Sequence, residues 1–249
     1  MEYSLEILSI LFFTALCAGI IDTIAGGGGL LTIPALLSVG ISPTAALATN
    51  KMQSVFGTFT ASLYFIRKKL VDVRQMKLMI LMSFIGSLIG SWVIVQIDPT
   101  FLKKIIPFLL MLIGTYFLIS KNNNDIETKK RISIIIFAFT FAFIIGFYDG
   151  FFGPGTGSFY TIAFIYFLGY SIKEATAQTK VLNFTTNFAS VLFFVYNGEI
   201  IFLIALIMGV GQIIGSLIGA KLVITKGSSL IKPLIVIISF SMSIKLLLS

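Results

Sequence analysis

The chain has 249 residues, of which 57% are hydrophobic and 11% charged, and it contains no histidine. Its mean hydropathy is +1.03, and its apolar residues come in runs of about 20, the length that a helix needs to cross a bilayer. These values exclude a water-soluble domain, in which roughly a quarter of the residues are charged. The formal net charge of +8 is spread in short clusters between apolar runs. That pattern is typical of membrane topology signals and not of nucleic-acid binding.

The first apolar run, Leu5–Ala25, predicts a retained membrane span. Its leader is acidic, with Glu2 and Glu6, whereas a secretory signal peptide begins with a basic segment. The run is also too long for a signal peptide, and no small-residue cleavage site follows it. Cys17, the single cysteine, lies inside this run, and we expect it to be a packed thiol.

A glycine-rich break follows the first run. It begins at Asp22 and contains four consecutive glycines, 26–29, which a helix cannot accommodate at low cost. Irregular backbone at membrane depth survives only beside a cavity or inside protein. The next apolar piece, Leu30–Val39, is long enough to cross only about half of the bilayer as a helix. A simple hinge is the alternative interpretation of the break.

Lys51 lies in the next predicted helix, which begins near Pro43 and ends near Arg67. The lysine is therefore about 12 Å from the start of the helix and about 24 Å from its end. A lysine side chain that snorkels to the surface reaches about one and a half turns, so Lys51 is deep for that role. An ionisable residue at such a depth predicts a functional site, and structural pairing with an aspartate is the alternative.

The second half of the chain repeats this order. A second break runs from Asp149 through Gly-Pro-Gly-Thr-Gly at 153–157, a short apolar piece spans Ser158–Leu168, and Lys180 lies about 13 Å past Ser171. Asn183 and Asn187 share one helical face with Lys180, at spacings of three and seven residues. One polar face on an apolar helix predicts a cavity or a partner helix. Ordinary interhelical hydrogen bonding remains the alternative for each single residue.

An internal repeat connects the two halves. Shifting the chain by 129 residues places Gly40–Ser120 on Gly169–Ser249 without a gap, and the segment GSLIG at 86–90 recurs at 215–219. We therefore predict a first repeat over 1–120, a cytoplasmic linker over 121–131 and a second repeat over 132–249, with about 8–10 spans in total. If the short pieces count as crossings, the halves are inverted. If they do not, the halves are parallel. The distribution of basic residues favours inverted halves.

The two half-sites are expected to face each other near the middle of the membrane. Lys51 and Lys180 would supply positive charge to an anion, and Asp22 and Asp149 would neutralise the lysines in the empty site or carry a coupling proton. The amides that begin the short helices suit an anion as well. The residues expected to bind substrate are Lys51, Lys180, Asn50, Thr179, Asn183, Gly28, Gly29, Gly155 and Thr156.

These features predict a secondary transporter of small anions that works by alternating access, and an anion-selective channel is the alternative. An enzyme is disfavoured, because the chain lacks histidine and offers few groups for acid–base or metal chemistry. A lipid-binding scaffold would not explain the duplicated lysines. We expect no cofactor and no metal. The expected partners are a small anion, membrane lipid, a coupling proton and a second copy of the chain.

The two motifs also carry a family resemblance. The strings IDTIAGGGGLLTIPALLSVG and ALATNK in the first half, and FYDGFFGPGTGSFY and EATAQTKVLN in the second, resemble those of the TauE/SafE permeases over essentially the whole chain. Gln178 stands where that family often has asparagine. The resemblance implies a multi-pass transporter in the inner membrane of a prokaryote, with sulfite, thiosulfate or a small organosulfonate as the substrate and export as the usual direction. Members of the family are usually described as duplicated four-span units.

Overall fold

The computed structural model describes residues 3–98, part of the stretch 100–115, and residues 129–225. Every regular element among these residues is a helix, so the prediction of an all-α fold is confirmed for this part of the chain. In chain order the helices are α1 (Leu5–Ala25), α2 (Gly29–Ser38), α3 (Pro43–Arg67), α4 (Lys77–Ile94), α5 (Ile134–Phe151), α6 (Thr156–Leu168), α7 (Ile172–Asn197) and α8 (Phe202–Thr225). A π-helical turn lies within α5 and another ends α6.

The two predicted breaks separate α1 from α2 and α5 from α6. Gly26 ends α1 in the left-handed conformation, with φ of 72°, and its amide donates to the Asp22 carbonyl. Gly155 precedes α6 with φ of 83°. A side chain is strained in this region of backbone conformation, which explains why glycine occupies both turns. The short helices α2 and α6 begin one or two residues before the predicted apolar pieces.

Among the described residues, four helices are apolar and long enough to cross a membrane by length and composition, namely α1, α4, α5 and α8. Helices α3 and α7 are longer still, with 25 and 26 residues, but they carry the polar residues predicted for the site. Those polar residues face inward, because most of the polar side chains in the first two-thirds of each helix are buried. The outer surfaces of α1 and α8 expose large apolar side chains such as Phe13 and Leu203, as a lipid-facing surface would.

Two apolar clusters mark opposite ends of the helix bundle. One end of the bundle, which we call end A, contains the start of α3, the end of α4, the end of α7 and the start of α8. The other end, end B, contains the end of α3, the starts of α4 and α5, the end of α6 and the start of α7. Helix α3 therefore runs from end A to end B, and its sequence counterpart α7 runs from end B to end A. Helices α4 and α8 are opposed in the same way. These directions agree with the inverted arrangement of the two halves. Their common origin stays a prediction.

The repeated GSLIG segments lie where the two halves contact each other. Gly86 and Gly90 of α4 pack against the backbone of α5, and Gly215 and Gly219 of α8 pack against the backbone of α1. A β-carbon at Gly90 would lie 2.1 Å from the Phe147 carbonyl oxygen. Small residues at such spacing let membrane helices approach closely. The fourth helix of each half therefore packs on the first helix of the other half.

The structure differs from the sequence prediction at Cys17. The expectation that Cys17 is packed is wrong, because this residue lies on the exposed face of α1. The helix has enough small and apolar residues to fill its buried face without it, including Ala15 and Ala18. Three predicted segments lie outside the described residues. They are most of the linker, the end of the first repeat and the last span beyond residue 225.

Candidate functional site

The two glycine-rich breaks touch each other at the centre of the site. A β-carbon at Gly26 would lie 2.3 Å from the α-carbon of Gly157, and one at Gly157 would lie 2.4 Å from the α-carbon of Gly26. The Ser158 hydroxyl, at the start of α6, donates to the carbonyl of Ala25 at the end of α1. The absence of side chains at these two glycines thus allows direct backbone contact between the halves, and the ends of four helices converge there.

Lys51 is buried beside the second break. Its side chain is 2% exposed, and its ammonium group lies 2.6 Å from Asp149 Oδ1. It also donates to the backbone carbonyl of Asp149, close to the end of α5. Helix α3 begins at Pro43 with Ser42 as its N-cap, which sets the depth of the lysine as the sequence predicts. The carbonyl end of α5 adds partial negative charge to that of the carboxylate.

Lys180 occupies the equivalent place beside the first break. Its side chain is 1% exposed, and the distance from its ammonium group to Asp22 Oδ2 is 2.9 Å. It too donates to the backbone carbonyl of its partner aspartate. Helix α7 begins with a capping box, in which Ser171 and Glu174 satisfy each other's backbone amides. This cap fixes the start of the helix and hence the depth of Lys180.

Each ion pair therefore joins the two halves of the chain. The lysine of the first half binds the aspartate of the second, and the lysine of the second half binds the aspartate of the first. Lys51, Lys180 and Asp149 are the charged residues that are fully buried in the described parts of the chain, and Asp22 is partly buried. The sequence predicted the pairing of lysines with aspartates as one role of these residues, but not that the pairs would cross between the halves.

The two aspartates have different surroundings. Asp149 accepts hydrogen bonds from the hydroxyl groups of Thr156, at 3.2 Å, and Thr186, in addition to the lysine, and its side chain is 5% exposed. Asp22 accepts a 3.3 Å hydrogen bond from the amide of Gly28, and its side chain is 20% exposed. Asp149 is therefore the more completely enclosed and the more fully hydrogen-bonded carboxylate.

A small polar cavity lies between the two breaks. It holds about 20 Å³, room for about one or two water molecules. Its walls come from both halves and are formed by Asp22, Gly26, Gly29, Asn50, Lys51, Ser54, Thr58, Asp149, Gly153, Thr156, Gly157, Asn183 and Asn187. The cavity borders both aspartates and Lys51 directly, and Lys180 adjoins it through Asp22. In this conformation the two ion pairs are closed, and an anion would have to displace a carboxylate to reach an ammonium group.

The three predicted orienting residues have different roles in the structure. Asn50 lines the cavity, and its side-chain oxygen accepts from Thr32 at 2.5 Å. Asn183 lines it as well, and its side-chain oxygen is buried without a hydrogen-bond partner. Thr179 instead shares a 3.1 Å hydrogen bond with Thr161 of α6 and is not among the cavity walls. Two of the three therefore face the cavity, and Thr179 connects two helices beside it.

Two of the backbone amides predicted to bind substrate already donate hydrogen bonds within the protein. The Gly28 amide donates to Asp22, and the Thr156 amide donates to the carbonyl of Gly153. Gly29 and Thr156 border the cavity, and Gly155 forms the left-handed turn before α6. In this conformation the Gly28 amide at the start of α2 thus binds Asp22, and the Thr156 amide at the start of α6 closes the turn before that helix.

Several cavity residues were not among the predicted site residues. Ser54 and Thr58 lie three and seven positions after Lys51, as Asn183 and Asn187 lie after Lys180. Applying the same helical spacing to both halves would have identified them. Thr186, which donates to Asp149, has Gly57 as its counterpart, so the repeat gives no signal for it. Within the described parts of the chain, no group of three His, Cys, Asp or Glu side chains is arranged to hold a metal ion.

Comparison with known proteins identifies the family. The model of the sulfite exporter TauE/SafE family matches residues 11–246. The chain belongs to the TauE/SafE family. A probable membrane transporter protein of Haemophilus influenzae is 45% identical, with 99% of this chain and 96% of that protein covered. The probable membrane transporter protein YfcA of Escherichia coli K12 is 46% identical, with 97% and 90% covered. No solved structure matches the chain.

The TauE/SafE match makes this chain a membrane transporter, as the sequence predicts. A third relative, the probable membrane transporter protein ORF9 of Sinorhizobium sp, is 41% identical over 99% of this chain and 94% of that protein. A small substrate and a membrane environment follow from membership of the family.

Proposed function

We propose that this TauE/SafE protein is a secondary transporter of small anions in the inner membrane of a prokaryote, and that sulfur oxyanions or small organosulfonates are its substrates. The observation that carries the proposal is the two lysine–aspartate pairs beside one cavity between two touching helix breaks, with Lys51 and both aspartates in the cavity wall. A lysine at membrane depth is costly, and it is retained where a substrate or an ion pathway needs it. The family description, sulfite exporter, supports the choice of sulfur anions.

The cavity chemistry supports an anion and not a cation. Each ammonium group is held by a single carboxylate and by one backbone carbonyl, so an incoming oxyanion can replace the carboxylate as the negatively charged partner. The amide groups of Asn50 and Asn183 and the hydroxyl groups of Ser54 and Thr58 add polar groups to the cavity wall. Sulfite, thiosulfate and sulfonates present three oxygen acceptors that suit such donors.

The inverted directions of the helices support alternating access. Lys51 lies about 12 Å along α3 from end A, and Lys180 about 12 Å along α7 from end B. A tilt of one part of the bundle against the other would therefore open one ion pair toward one side of the membrane while the other pair stays closed. This geometry favours a carrier over the continuous pore of a channel.

The test is transport by the purified protein in proteoliposomes, with sulfite, sulfate, thiosulfate, small sulfonates and carboxylates as candidate substrates. We expect saturable uptake of one or more sulfur anions, and counterflow, in which unlabelled anion inside accelerates entry of labelled anion. Lys51→Met and Lys180→Met should each abolish uptake. Lys77→Met is the matched control, because Lys77 lies exposed at the start of α4, and it should transport normally.

Two results would contradict the proposal. Full transport by both lysine variants would exclude the site, and flux that rises linearly with concentration, far above carrier rates and without counterflow, would indicate a channel. Membrane insertion and yield of each variant are measured alongside, because a lysine-to-methionine change leaves an aspartate without its partner.

A further inference from the structure

The charges around the cavity sum to zero. Lys51 and Lys180 contribute two positive charges, and Asp22 and Asp149 contribute two negative charges. Four other charged side chains on the helices packed around Asp22 are exposed or partly exposed: Arg67, Lys173, Glu174 and Lys221. The first three lie in the first or last turns of their helices, and Lys221 lies one turn before the end of α8. Helices α2 and α6 carry no charged residue. No further buried charge in the described residues offsets a change within the cavity.

A bound anion disturbs this neutrality. When a sulfonate occupies an ammonium group, the displaced carboxylate remains in the same enclosed space, and the site carries one surplus negative charge. A charge without a partner in a water-poor interior is strongly disfavoured, and a carboxylate in that position is neutralised by binding a proton. A bound dianion such as thiosulfate adds two negative charges to the site, so neutrality requires two protons.

The two carboxylates differ in their hydrogen-bond donors and in their exposure to water. Asp149 accepts hydrogen bonds from an ammonium group and two hydroxyl donors. Asp22 is held by an ammonium group and one long amide contact, and its side chain is four times as exposed as that of Asp149, at 20% against 5%. Asp22 therefore has fewer interactions to lose and better access for a proton from water.

We infer that each negative charge of the substrate enters together with one proton, and that Asp22 is the carboxylate that binds the first proton. The inference rests on the proposed function. No bond in the anion changes; the proton passes from water to the Asp22 carboxylate, and the lysine that Asp22 releases pairs with the substrate. Transport by this route moves no net charge across the membrane.

Two anions whose charge is constant near neutral pH test the stoichiometry. Proteoliposomes that contain a pH-sensitive dye receive labelled 2-hydroxyethanesulfonate or thiosulfate, and a potassium gradient with valinomycin sets the membrane voltage. We expect one proton to enter with each sulfonate and two with each thiosulfate, and uptake that is insensitive to voltage. Asp22→Asn should lose proton entry with the sulfonate and become voltage-sensitive. Asp72→Asn, in the exposed α3–α4 loop, is the matched control and should keep the wild-type ratio.

A separate measurement tests the assignment to Asp22. Protein labelled with ¹³C in the aspartate carboxyl groups gives signals that the Asp22→Asn and Asp149→Asn variants identify. Adding 2-hydroxyethanesulfonate should move the Asp22 signal to its protonated position and leave that of Asp149 in place. Movement of the Asp149 signal instead would overturn the assignment. Anion flux that carries charge without proton entry would overturn the coupling while leaving the proposed function intact, whereas no flux with any anion would remove both.

Discussion

The two ion pairs of the site follow one plan but differ in how firmly each is held. Lys51 and Asp149 are both almost fully buried, and two threonine hydroxyls add to their contact. Lys180 is equally buried, but Asp22 is partly exposed and its additional donor is a backbone amide. The two halves of the chain thus form two unequal half-sites. The difference predicts that the Lys51–Asp149 pair contributes more to the stability of the fold than the Lys180–Asp22 pair does.

The largest expected effect comes from removing one carboxylate of each pair. Asp149→Ala leaves Lys51 buried without its charge partner, and breaking a buried pair in this way costs about 3 to 5 kcal/mol. Asp22→Ala should cost less, because that pair is closer to solvent. Unfolding of both variants by denaturant in detergent measures the difference. Equal losses of stability would remove the distinction between the two pairs.

The contact between the breaks gives the next effect. Gly26→Ala combines a left-handed backbone strain of about 1 to 2 kcal/mol with overpacking against Gly157 of about 1 to 3 kcal/mol, so we expect a loss of about 2 to 5 kcal/mol. Gly198→Ala is the matched control, since Gly198 has nearly the same φ, 73°, and open space around it. Thermal unfolding of the two variants separates strain from contact. Similar melting temperatures would show that the breaks do not press on each other.

A smaller effect is expected from the threonine that distinguishes the pairs. Thr186→Val removes the hydroxyl that donates to Asp149 and should cost about 1.5 to 3 kcal/mol, the range for a hydrogen bond to a charged group. Thr185→Val is the control, because the hydroxyl of Thr185 bonds only a carbonyl of its own helix. Denaturant unfolding gives both values. A Thr186→Val variant as stable as its control would contradict the role assigned to this hydroxyl.

The smallest effect concerns Cys17, whose exposed position predicts that Cys17→Ala changes stability by less than about 0.5 kcal/mol.

The Cys17→Ala variant supplies a cysteine-free background for comparing the two halves directly. Ser4 and Ser133 are the N-caps of α1 and α5 and lie near opposite ends of the bundle. A cysteine placed at Ser4 and one placed at Ser133 should react with an impermeant maleimide from opposite sides of the membrane. Reaction from the same side would contradict the inverted directions.

Local patterns in the sequence predicted the helices, the breaks and the depth of both lysines. Pro43 and Ser171 mark the starts of α3 and α7, and the glycine runs mark the ends of α1 and α5, because each of these residues acts on the backbone at its own position or within the next turn. Which aspartate meets which lysine depends on how the halves pack, so the sequence left the pairing open.

The same limit explains the residues whose predicted roles differ from the structure. Thr179 has the position of Asn50 in the repeat, yet a partner on α6 turns it away from the cavity. The Gly28 amide was predicted to bind substrate, and Asp22, six residues earlier in the chain, accepts it instead. Spacing along one helix identifies a face, but a neighbouring helix or break decides what that face contacts.

The close packing of α1 on α8 and of α4 on α5 has a mechanical consequence. Backbone atoms meet at Gly86, Gly90, Gly215 and Gly219, and contacts this tight do not slide without losing their fit. In the proposed transport cycle, the units that tilt would therefore be the packed helix pairs α1–α8 and α4–α5, each assembled from both halves of the chain. If the two halves were produced as separate polypeptides, neither would contain a complete tilting unit. The two polypeptides would have to associate before any transport cycle could begin.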